Sequence, residues 1–186
     1  MIYFTADTHF YHTNIIKYCK RPFKDVDEMN EKMIENWNRV VRPVDQVYII
    51  GDFVFGHAGR QHERIVEIIR RLKGNIFLIN GSHDRLEDFH PSILGKDAKR
   101  FHIFQDRIIT ILVENQEIVL CHYAMRVWPK SHYGSWHLYG HSHGQLEGWG
   151  KSFDVGVDCW NFRPISFSEV CSIMKTKPDN FDLVRK

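Results

Sequence analysis

Three apolar runs in the first 84 residues, each ending in an acidic cluster and separated from the next by helix-like sequence, constrain this chain more than any other feature. Ile2–Thr5 reads as a buried strand that runs into Asp7 and His9. Gln46–Ile50 is β-branched and aromatic and ends in Gly51-Asp52, and 75–80 ends in Gly81-Ser82-His83-Asp84. Between them, 14–19 reads as a short helix stopped at Arg21-Pro22. In 27–41, Met29, Met33, Trp37 and Val41 recur every four residues, which predicts a one-sided helix capped by Asp25 or Asp27. The segment 60–72 repeats that spacing with Ile65, Ile68, Ile69 and Leu72, and Gly74 fits its stop. Alternating strand and helix implies parallel strands joined by right-handed crossovers, with ligand sites at the strands' carboxyl ends.

The second half changes character. Residues 85–105 read as irregular chain with a short helix, whereas 107–113 and 117–121 flank Glu114-Asn115-Gln116 closely enough for an antiparallel hairpin. Cys121 then leads into His122. A loop at 123–136 precedes a short strand, 137–139, that ends in Gly140-His141-Ser142-His143, and 153–157 and 168–174 read as a last strand and helix. There is no internal repeat, low-complexity run or linker, so 1–186 is expected to form one α/β domain.

Net charge is +2, too little to imply nucleic acid or an anionic membrane from electrostatics alone. No run of eighteen apolar residues and no leader pattern occurs, and the expected location is the cytoplasm, with no membrane partner. Cys19, Cys121, Cys159 and Cys171 form no C-x-x-C pair, which points to reduced thiols rather than a disulfide scaffold or zinc ribbon. Of twelve histidines, six (His9, His12, His83, His122, His141 and His143) fall in or beside loops that follow apolar runs.

Five strand ends therefore carry polar clusters. Carboxylate plus imidazole without thiolate suits Mn, Fe, Zn or Ni in a catalytic site, and there are too many donors for one ion. Two divalent metal ions about 3.5–4 Å apart would use them, with Asp52 as the natural bridge.

Taken in order, Asp7-Thr8-His9, Gly51-Asp52, Gly81-Ser82-His83-Asp84, His122 and Gly140-His141-Ser142-His143 resemble the motifs of the calcineurin-like metallophosphoesterase superfamily, D-x-H, G-D, G-N-H-[DE], a lone H and G-H-x-H. The resemblance spans Ile2 to about Asp158. It implies two mixed β-sheets packed face to face and flanked by helices, and hydrolysis of a phosphate ester by hydroxide bridging two metal ions. One metal would be held by Asp7, His9, Asp52 and His143, the other by Asp52, His122, His141 and residue 82. His83 would contact the phosphate and protonate the leaving oxygen, and Asp84 would orient its ring. The departure is Ser82 where the superfamily has Asn. A neutral hydroxyl is a poorer and shorter-reaching donor than an amide carbonyl, so weaker binding of the second metal is expected.

Trp128, Tyr133 and Trp136, interleaved with Arg126, Lys130 and His132, could stack a nucleobase and hold phosphate, or could pack the loop on itself. The first option favours a phosphodiesterase on nucleotide or nucleic-acid substrates; a phosphomonoesterase, or a metal-binding but inactive adaptor in view of Ser82, are the alternatives. Tyr11 and His12 follow the D-x-H turn and could line the cleft, or could hold loop positions without a role. His57, His62, His90 and His102 are expected at the surface or at caps, and Arg70, Arg71 and Lys73 on a solvated helix face.

Overall fold

The computed structural model describes residues 1–55 and 61–184. Two mixed sheets pack face to face with helices outside, as expected. The five-stranded sheet has the order β4-β3-β2-β1-β9 and the four-stranded sheet the order β5-β6-β7-β8. Here β1 is Ile2–Thr5, β2 Gln46–Ile50, β3 Asn75–Ile79, β4 Phe101–Phe104, β5 Ile108–Val113, β6 Gln116–Cys121, β7 Trp136–Tyr139, β8 Ser152–Asp154 and β9 Ile165–Ser166. The helices are α1 Thr13–Tyr18, α2 Val26–Val40, α3 Gln61–Arg71, α4 Pro91–Leu94 and α5 Phe167–Thr176. His57 and Arg60, where a surface histidine and a helix start were expected, lie outside the described residues.

In the larger sheet, β1 to β4 are parallel and Tyr3, Val47, Ile76 and Phe101 stand in one row. Alternation along these strands divides the core. Tyr3, Val47, Ile49, Ile76 and Leu78 face the buried stripes of α2 (Met29, Met33, Ile34, Trp37) and α3 (Ile65, Ile68, Ile69). Phe4, Ile50 and Ile79 face the second sheet, meeting Ile118, Leu120, Leu138 and Phe153. Asp25 caps α2 by accepting the Glu28 N–H.

Two strands were not foreseen. β4 lies within the segment read as irregular, since Phe-His-Ile-Phe is too short for its alternation to stand out, and the two-residue β9 pairs antiparallel with β1. The hairpin turn is tighter than expected: Glu114 and Asn115, at φ 48° and 69°, join strands that already pair at Val113 and Gln116. β8 ends at Asp154 rather than 157 because the chain there changes sheets. Val155 N–H donates to Tyr139 O at 2.8 Å, and Val157 N–H donates to Ala6 O at 3.0 Å. This crossing joins the carboxyl ends of β1, β7 and β8. Among the described residues, no helix is long and apolar enough to cross a membrane.

Candidate metal centre

All five polar clusters leave their strands at carboxyl ends, and the end-to-end joining of the sheets brings them into one cleft. Asp7 N–H donates to Gly51 O and His9 N–H to Asp52 O, both at 3.0 Å, so the turns after β1 and β2 are tied together. His122 follows β6 directly, and its Nδ1 bonds Ile50 O at 2.8 Å, which turns Nε2 toward Asp52. Asp52 Oδ2 lies 3.5 Å from His9 Nε2 and 3.4 Å from His122 Nε2.

Among the described residues, Cys19, His143 and Asp158 hold their donor atoms within 4.8 Å of one another, and so do two triads beside Asp52 Oδ2: Asp7, His9 and His143, and Asp52, His122 and His141. Asp52 Oδ2 touches a member of each. Asp7 Oδ1, His9 Nε2 and His122 Nε2 are buried with no hydrogen-bond partner. Unsatisfied buried polar atoms are rare and costly, and cations bound at these atoms would account for them. The residues fit a divalent metal in donor type, burial and convergence.

The backbone makes the same point. Asp7 (φ 55°), His9 (49°), Asp52 (55°), His141 (68°) and His143 (48°) all adopt the left-handed region. For non-glycine residues this costs about 1 kcal/mol or more each, and such strain collects where side chains must be aimed. The neighbouring glycines leave the room required: a Cβ on Gly140 would stand 2.6 Å from Asp7 Oδ2, and one on Gly81 2.3 Å from Asp52 Oδ1.

Electrostatics follow the burial. Burial raises the Asp7 carboxyl to about 7, with the neighbouring imidazoles opposing it. Asp52 is also buried, yet His122 and His9 hold it well below the usual carboxylate range. Burial lowers His122, but the Asp52 carboxylate outweighs it and lifts the ring to about 9. Burial depresses His9, keeping it neutral.

The roles of residues 82 to 84 separate. Ser82 is exposed, and its Oγ donates to Asp52 Oδ2 at 2.9 Å, so it sits at the second triad without belonging to it. His83 is exposed at the cleft, its backbone N–H donating to Asp52 Oδ1 at 2.9 Å. Asp84 does not orient the His83 ring. Its Oδ2 accepts the N–H of Asp52 (2.7 Å) and Gly81 (2.9 Å), and its Oδ1 that of Phe53 (3.0 Å). It pins the turns after β2 and β3 through these three backbone donors, and among the described residues it makes no hydrogen bond to the His83 ring.

Two further residues join the site. His143 Nδ1 lies 2.8 Å from Asp158 Oδ2, and buried Arg21 grips both oxygens of that carboxylate while donating to Asp7 O and Thr8 O. Asp158 shares the strand-then-acid signal of the other clusters and could have been read from it; Arg21, between Lys20 and Pro22, gave none. Of the two readings of the aromatic loop, packing on itself is the one found: Trp128 is buried with its indole N–H on Ser135 O, Trp136 packs near Phe167, and Lys130 pairs with Glu117. Tyr133 alone of the three stands exposed, against His132. Tyr11 bonds Glu67, His62 pairs with Asp88, and His90 caps α4. Arg70 and Arg71, on the α3 face read as solvated, pair with Asp97 and Glu31.

Fold and site together define an α/β sandwich protein that gathers carboxylates and imidazoles where its two sheets meet. No protein-family model matches the sequence. Over 181 residues the chain is 32% identical to the uncharacterized protein MJ1445 of Methanocaldococcus jannaschii, covering 94% of this chain and 91% of that one, and it belongs to the same family. It is similar to the solved structure of AQ665 from Aquifex aeolicus, a protein of unknown function, with a TM-score of 0.71 and 26% identity over 93% of this chain and 98% of that one. A looser likeness, TM-score 0.47 and 16% identity over 83% and 81% of the two chains, is to a novel archaeal phosphodiesterase.

Proposed function

We propose that this protein is a metal-dependent phosphoesterase whose cleft holds two divalent ions, one at Asp7, His9 and His143 and one at His122 and His141, with Asp52 common to both. The observation that carries the reading is the position of Asp52 Oδ2, 3.5 Å and 3.4 Å from imidazole nitrogens of separate triads. Paired divalent ions supply charge neutralisation of a phosphoryl group and activation of water. The chain's own groups do the rest. Asp84 and the Gly51 and Gly81 turns fix Asp52, Arg21 and Asp158 fix His143, and exposed His83 beside Asp52 holds a proton for the leaving oxygen. The aromatic loop is largely spent on its own packing and lends no support to a nucleic-acid substrate.

The test is hydrolysis of a chromogenic monoester and a chromogenic diester by the full chain with Mn²⁺, Ni²⁺ or Zn²⁺, alongside metal stoichiometry. Turnover lost in His83→Ala with metals retained supports the reading and identifies the ester class. Two bound ions without turnover of either ester would favour an adaptor instead. Donation from Ser82 Oγ to Asp52 Oδ2, where the superfamily has an amide carbonyl, is the specific observation behind that second reading.

A further inference from the structure

Among the described residues, His12 is the one buried imidazole of the cleft to which the two triads give no role. It is 8% exposed and follows the Asp7–His9 turn, with its N–H on His9 O. Its ring lies flat on Phe55, with centroids 3.7 Å apart and planes 11° from parallel. It stands 5.3 Å from the His9 ring and 6.4 Å from that of His83, and His83 itself packs edge-on to Phe55 at 5.4 Å.

Of its two ring nitrogens, Nδ1 is wholly enclosed with no partner, and Nε2 is not so enclosed. A buried N–H without an acceptor is the rarer and costlier defect, whereas a buried lone pair without a donor is better tolerated. This assigns the lone pair to Nδ1 and the proton to Nε2. The stacking on Phe55 fixes the ring plane. His12 is therefore a fixed N–H donor beside His83.

We infer that His12 is a phosphate-contacting residue, its Nε2–H donating to a non-bridging oxygen of a phosphate ester bound between His83 and the Asp7–His9 turn. The inference rests on the phosphoesterase reading above. It gives the cleft a second, fixed donor on the side where His83 works, so that a proton can be delivered by His83 without the phosphoryl group losing its only imidazole contact.

Two variants test it in the metal-loaded full chain. His12→Phe keeps the ring on Phe55 and removes the donor; His12→Gln offers an amide N–H. Binding of inorganic phosphate is followed by calorimetry, with metal content and thermal midpoint measured on the same samples. Loss of one hydrogen bond to a charged acceptor is expected to weaken phosphate binding by about ten- to a hundredfold in His12→Phe. Metal content and midpoint should match the parent, kcat/KM should fall in parallel, and His12→Gln should regain part of the binding. Parent-like phosphate affinity in a fully metallated His12→Phe overturns the inference, and so does loss of metal in that variant, which would place His12 in support of His9. A parent protein that binds metals but neither binds phosphate nor hydrolyses any ester overturns the phosphoesterase reading itself, and this inference with it.

Discussion

Asp158 Oδ2 lies 2.8 Å from His143 Nδ1, and the same carboxylate receives Nε and Nη2 of buried Arg21, each at 2.8 Å. One acid thus fixes the tautomer of a candidate ligand and neutralises a guanidinium that also holds the carbonyls of Asp7 and Thr8. Burial raises the Asp158 pKa, but His143 and Arg21 outweigh it and hold it below the usual carboxylate range. Its contribution to stability is therefore present above the unfolded carboxylate's pKa and lost as pH falls through the lowered value.

Asp158→Asn should leave Arg21 buried without its charge partner and His143 without its acceptor. Breaking a buried pair from one side costs about 3 kcal/mol, and loss of the carboxylate behind a metal-ligating imidazole lowers metal affinity about 10–100-fold. Urea denaturation and metal titration read the two effects separately. A variant as stable as the parent, or one that binds both metals unchanged, contradicts this account.

Asp84 and His83 are neighbours in sequence and should behave oppositely. Asp84→Ala strips three backbone N–H groups of their acceptor in the turns that carry Asp52. The expected loss is about 3 kcal/mol of stability, with metal occupancy falling as the turns loosen. His83→Ala removes an exposed ring and should change stability by less than about 0.5 kcal/mol while abolishing turnover. Denaturation midpoints and rates on the same two variants check the contrast, and equal stabilities would contradict it.

The gathering of the site was legible in the sequence because it depends on strand ends. Asp7 and Asp52 follow apolar runs whose parallel order the helix alternation already implied, and carboxyl ends of parallel strands share one edge; His122 and His141 likewise end apolar runs, but the alternation said nothing of their order in the second sheet. What Asp84 does was not legible, since accepting the N–H groups of residues 52, 53 and 81 is a three-dimensional relation with no spacing signal. Arg21 was hidden for the same reason, its acid lying 137 residues away. The Trp128 loop left two readings open because burial of an indole by its own loop and exposure of it for stacking look alike in composition. Left-handed backbone at Asp7, His9, Asp52, His141 and His143 is equally invisible before the structure, because aspartate and histidine carry no glycine-like mark of it.

Protons should compete with metal in a defined window. Asp7, raised to about 7 by burial, and His122, raised to about 9 by Asp52 against the effect of burial, both retain protons near neutrality in the metal-free protein. A raised folded pKa stabilises below the unfolded value and is lost as pH climbs through the folded one. For the metal-free protein these two contributions fade from about pH 4 to 7 and from about pH 6.5 to 9 respectively. Metal requires both groups deprotonated, so its affinity rises over the same ranges. The thermal shift on adding Mn²⁺ should grow from pH 6 to 9, and calorimetry in buffers of different ionisation enthalpy should record proton release. A pH-independent shift would contradict the assignment of these two residues to the metal centre.

Residue 82 should set the balance between the two triads. Its hydroxyl donates to Asp52 Oδ2, the oxygen that faces His9 and His122, and so competes for the lone pairs a metal would take. An asparagine here would offer a carbonyl oxygen on a longer arm, adding a donor to Asp52, His122 and His141. The residue is exposed, so the larger side chain meets little packing resistance. Ser82→Asn is expected to raise occupancy of the second metal at limiting concentration and the rate with it, while leaving the Asp7, His9 and His143 triad unaffected. Stoichiometry by elemental analysis and steady-state rates on the two proteins decide it. Equal occupancy and equal rate would mean that residue 82 lies outside the ligand set, and that Asp52, His122 and His141 hold the second ion without it.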